Sequence, residues 1–120
     1  MPERPRATYL SPPDLYRLDA ACVPLREAFG TPYLVGSVLR RRDFRDVDVR
    51  LLLQDDDFDR QFPSSARLKV LNAAVSALLR DATGLPVDFQ FQRQAEANAL
   101  HGGPRSALGC VEFMRAEDRA

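Results

Sequence analysis

The sequence predicts a mixed α/β (α+β) fold, a short mixed sheet flanked by helices. Its 120 residues, 45% of them hydrophobic, suffice for one core and are too few for two. Three short segments, 32–35, 46–53 and 87–92, are β-branched, aromatic or alternating in the manner of strands. Before and between them lie stretches whose apolar residues recur three or four apart, the helical period.

The elements follow in order. Residues 1–10 are polar, proline-bearing and without period, which predicts a flexible N-terminal arm with order beginning at Ser11. Ser11-Pro12-Pro13-Asp14 offers a capping hydroxyl and prolines where a helix start tolerates them. Leu15, Leu18, Cys22, Leu25 and Phe29 continue at helical spacing until Gly30. Pro24 lacks an N–H and predicts a kink or a split in that run. Pro32 to Val35 reads as a buried strand ending at Gly36-Ser37, and a basic connection from Arg40 to Arg45 follows. Asp46 to Leu53 alternates first and then turns apolar, as a strand does when its far half is buried on both faces. Gln54 to Asp59 is acidic, a loop or the first turn of a helix. From Ser64 to Asp81, Leu68, Leu71, Val75, Leu78 and Leu79 mark a helix that Thr83-Gly84-Leu85-Pro86 stops. Val87 to Gln92 alternates as the third strand, Arg93 to Leu100 forms a short helix, and Ala107 to Met114 a final strand or tail. The domain is thus expected over 11–100, with 101–120 packed on it.

Seventeen basic residues balance seventeen acidic ones, so nothing draws the whole molecule to nucleic acid or an anionic membrane, and any phosphate binding must be local. Apolar runs such as Leu51-Leu52-Leu53 fall far short of the roughly 18 residues of a membrane span. No apolar stretch follows the basic start, so a cytoplasmic protein is expected. Cys22 and Cys110 belong to no metal or redox motif and read as reduced, buried thiols.

Asp46, Asp48 and Asp88 stand on expected strands among apolar neighbours, where an unpaired carboxylate is costly. Asp46 and Asp48 are two apart, so they share one face at about 7 Å along the strand. If the third strand lies beside the second, Asp88 completes an all-oxygen site, for which magnesium is the natural ion. Gly36-Ser37, after an apolar strand, makes a turn in which the backbone can approach an anion and the serine can donate to it.

Leu34-Val35-Gly36-Ser37, Arg45-Asp46-Val47-Asp48-Val49 and Val87-Asp88-Phe89, in this order, resemble the nucleotidyltransferase superfamily that includes DNA polymerase beta. The resemblance spans about residues 15–92 and is to its minimal, single-domain members. It implies that Asp46, Asp48 and Asp88 are metal ligands for two magnesium ions, with manganese an alternative, and that Asp88 also helps activate an attacking hydroxyl. Gly36 and Ser37 would hold the phosphates of a nucleoside triphosphate, and a nucleoside monophosphate would pass to an acceptor (protein, RNA or small molecule) with release of pyrophosphate. Eight residues separate Ser37 from Asp46, at the short end of the family's gap, and Arg45 stands where a small hydroxylated residue is common. Larger members also carry a further domain that grips base and acceptor.

Arg40, Arg42 and Arg45 adjoin the expected phosphate turn and are candidate clamps on triphosphate charge, against the alternative of a solvated turn. Asp55, Asp56, Asp57 and Asp59 lack the glycine and distant glutamate of a calcium loop. His101, the only histidine, has no serine or cysteine partner in a recognisable motif and reads as a surface or capping residue. The rival reading is a catalytically inactive binding or partner protein of the same fold, such as one component of a toxin–antitoxin or defence pair. In it, Arg40, Arg41, Arg42, Arg45 or Arg50 would neutralise the aspartates. A homodimer, in which a neighbour completes the cleft, or a small helical partner protein, as in a two-component system, is the expected protein partner.

Overall fold

The structure, a computed structural model, describes residues 8–103 and 105–110. Ser11 caps the first helix, α1 (Pro12–Ala21), by accepting a hydrogen bond from the Asp14 N–H. The chain then turns at Cys22 into α2 (Val23–Ala28), which has a proline in its first turn, so the missing Pro24 N–H splits the run as its chemistry requires. β1 (Pro32–Val35) passes into a 3-10 turn (Gly36–Leu39), and β2 (Val47–Leu53) follows. α3 (Asp55–Gln61) takes up the acidic segment, three aspartates in its first turn facing the positive end of the helix dipole. α4 (Ser65–Thr83) is capped by the Ser64 hydroxyl and closed by Gly84 at φ 73°; β3 (Val87–Arg93), α5 (Gln94–Leu100) and β4 (Ser106–Ala107) complete the described chain.

The sheet order is β3-β2-β1-β4. β1 runs antiparallel to β2 and to β4, whereas β2 and β3 are parallel, joined by a crossover through α3 and α4. The mixed α/β sheet flanked by helices is therefore what the chain builds. One face is the core: Leu34, Val47, Val49, Leu51, Leu53, Val87, Phe89 and Phe91 are buried, with Leu18 of α1 and Leu79 of α4 against them. Phe29, Phe58, Phe62, Phe89 and Phe91 join ring to ring at one end of that core, with centroids 4.9 to 5.2 Å apart.

Four expectations are corrected. Thr8 and Leu10, assigned to a flexible arm, are buried, and the Tyr9 N–H donates to the Val38 carbonyl at 2.8 Å; residues 1–7 lie outside the described residues. Leu78, expected in the core, is 56% exposed, because α4 turns Leu79 inward. Among the described residues the final strand starts one residue earlier than expected and covers Ser106–Ala107; the rest of the expected strand or tail, from residue 111, lies outside the described residues. Cys110 is exposed, whereas Cys22 is buried, its thiol pushed up to about 12 by burial and by nearby Asp19. Asp19 itself anchors the C-terminal part of the described chain, accepting from the Gly109 and Cys110 N–H groups at 2.5 and 3.1 Å.

Candidate functional site: carboxylates and a buried arginine

Strand alternation decides which side chains meet. With Val47, Val49 and Leu51 in the core, Asp48 and Arg50 point to the opposite face of β2; with Val87, Phe89 and Phe91 in the core, Asp88, Gln90 and Gln92 do the same on β3. The parallel register sets Asp48 directly beside Asp88 and Arg50 beside Gln90. Like charges at adjacent positions repel, and Arg50 supplies the answer. Its Nη2 lies 3.1 Å from Asp88 Oδ2 and 3.7 Å from Asp48 Oδ1. Its Nη1 donates to the backbone carbonyls of Asp88 and Val49, at 2.6 and 3.0 Å. The residue is 6% exposed, and its Nε has no hydrogen-bond partner among the described residues.

Asp48 carries the electrostatic tension of the site. Burial raises its pKa, Arg50 pulls it back down, and Asp88 and Asp46 push it up again. A carboxylate raised by desolvation and by neighbouring carboxylates is one that an added cation relieves. Gly36 explains how Asp48 fits: at φ +80° the glycine turns the chain out of β1, and a Cβ there would stand 2.6 Å from Asp48 Oδ2. Only glycine satisfies both the left-handed backbone and that close approach.

The expected residues divide between two concavities. Ser37, Arg41, Asp43, Phe44, Arg45, Asp46 and Asp48 line a cleft of about 420 Å³. Of the expected phosphate clamps, Arg45 lines this cleft and Arg40 and Arg42 do not; Arg41 stands there instead. Arg40 lies near His101, which the end of α5 brings close to Asp48 and Arg50. Burial lowers the His101 pKa first, then Arg50, while Asp48 raises it and Arg105 and Arg40 lower it further. Asp88 lines a second groove of about 330 Å³ between β3 and α4, with Lys69, Asn72, Ser76, Arg80 and Gln90. Arg50 thus stands between the two concavities. Sequence reasoning weighed it only as one of several neutralising arginines; the alternation Asp46, Asp48, Arg50 was the signal that sets it on the carboxylate face.

Among the described residues, no group of three or more His, Cys, Asp and Glu side chains is gathered closely enough to hold a metal ion. Asp46 and Asp48 line one cleft, and carboxylates singly or in pairs are the donor type magnesium takes, with waters and substrate phosphates filling its other positions. No helix among the described residues is long and apolar enough to cross a membrane. Compared with protein-family models, with curated proteins and with solved structures, the chain matches none.

Proposed function

We propose that the chain is a magnesium-dependent nucleotidyltransferase that passes a nucleoside monophosphate from a nucleoside triphosphate to a hydroxyl acceptor and releases pyrophosphate. One observation carries this reading: a single cleft joins two carboxylates, Asp46 and Asp48, to the Ser37 hydroxyl and the Arg41 and Arg45 guanidiniums. Carboxylates are suited to a divalent cation, and hydroxyl and forked guanidinium groups to phosphate oxygens. A bound magnesium ion would supply charge stabilisation at the phosphoryl oxygens. Ser37, Arg41 and Arg45 bind and orient the triphosphate. Asp88, reached from the second groove, orients the acceptor hydroxyl.

A second reading, a catalytically inactive binding or partner protein, is favoured by Arg50, which already engages the carboxylate of Asp88. The experiment that separates them is calorimetric titration of each ribonucleoside triphosphate with magnesium into wild-type protein and into Asp46→Ala/Asp48→Ala, followed by a pyrophosphate-release assay. Magnesium-dependent binding that the double variant abolishes, with pyrophosphate released by the wild type, is expected. Binding without release against protein, RNA and small-molecule hydroxyl acceptors favours the second reading, and no binding by well-folded protein overturns the first for the isolated chain.

A further inference from the structure

The position between Asp48 and Asp88, where two carboxylates converge, is filled by a guanidinium. We propose that Arg50 takes the place of a second metal ion, so that the site holds a single divalent cation, on the Asp46 and Asp48 side. This rests on the cation reading given above and goes beyond it in assigning the number of ions.

The geometry supports it at three points. Arg50 is fixed from below: its Nη1 is held by two backbone carbonyls, at 2.6 and 3.0 Å, a pin that a surface arginine lacks. Its Nη2 reaches both carboxylates, closer to Asp88 at 3.1 Å than to Asp48 at 3.7 Å. A cation bridging those two oxygens would meet that nitrogen. The side chain is also retained in burial with an unsatisfied Nε, a costly arrangement for a group whose only role is packing. Arg40 and Arg105 add positive charge around His101, close to Arg50 and Asp48, and make a further cation there less favourable still.

The test is to count ions. Crystals grown with manganese(II) and α,β-methylene analogues of the ribonucleoside triphosphates locate each ion by anomalous scattering, and proton-relaxation titration with manganese(II) alone gives the solution count. One ion is expected, against Asp46 and Asp48, with Arg50 still on Asp88. Two ions with Arg50 displaced overturn the proposal while leaving the cation reading intact; no ion in either experiment overturns both. Arg50→Gln is expected to raise the count from one to two and Arg50→Lys to keep it at one; an unchanged count in Arg50→Gln counts against the proposal. Should Arg50→Gln fail to fold, Asp88→Asn serves in its place. It is expected to keep its one ion, and loss of that ion would show Asp88 to be a ligand and sink the proposal.

Discussion

At the scale of single residues, Gly36 and Asp48 are one unit. Gly36→Ala places a Cβ 2.6 Å from Asp48 Oδ2 on a backbone at φ +80°. The expected cost is about 1–3 kcal/mol in urea unfolding, together with weaker cation binding as the carboxylate is pushed aside. Asp48 makes the opposite prediction. Its pKa is raised, chiefly by burial, so its contribution to stability is fully present below the ordinary carboxylate range and is lost as pH rises through its folded value. Asp48→Asn removes that loss. The variant should therefore gain stability over the wild type as pH rises above the ordinary carboxylate range of about 4, measured by urea unfolding at each pH, while losing cation binding. A difference that shrinks with rising pH would contradict the assignment. The aspartates were legible in the sequence because carboxylates among valines on an alternating strand need a reason. Arg41 was not, since the connection from Arg40 to Arg45 has no period from which to read which guanidinium turns inward.

At the scale of elements, α4 does more than cover the sheet. β3 is an edge strand, and its outward-facing backbone groups would be a template for pairing with another chain. Side chains four apart on α4 answer them in turn. Asn72 Oδ1 accepts from the Phe91 N–H at 2.9 Å, and Arg80 Nε donates to the Val87 carbonyl at 2.8 Å. Between them, the Ser76 hydroxyl accepts from the Phe89 N–H at 2.9 Å and donates to the Phe89 carbonyl at 3.3 Å. Ser76→Ala leaves that buried N–H unpaired and should lower stability by about 1–3 kcal/mol in urea unfolding. A neutral effect would mean that the helix does not guard the edge. The strands themselves were legible from period two and the helix from its three-or-four spacing. The direction of α4 was read less well: Leu78 and Leu79 both fit an apolar helix, and only the packing shows that Leu79 is inside while Leu78 and Val70 face out. Nor could the acidic run from Asp55 be told from a loop, because its one buried anchor, Phe58, is a single apolar residue with no period around it.

At the scale of the whole molecule, the sheet has one apolar face and one mixed face that carries Asp48, Arg50 and Asp88, and the mixed face is where the proposed chemistry lies. The order of strands and carboxylates along the chain was visible beforehand; that β2 and β3 would be parallel neighbours in register was only a condition, since nothing local dictates it. That pairing has a consequence in time as well as in space. Arg50 and Asp88 are separated by 38 positions, and the loop between β2 and β3 must close before they meet. The β1–β2 pairing spans far fewer residues and carries a smaller closure cost, so local contacts favour its formation first. Arg50 travels on β2 beside Asp48, and the counter-charge is therefore already present when Asp88 arrives. The strand that brings the repulsion docks against a partner that has been neutralised in advance, which spares the parallel crossover an electrostatic barrier.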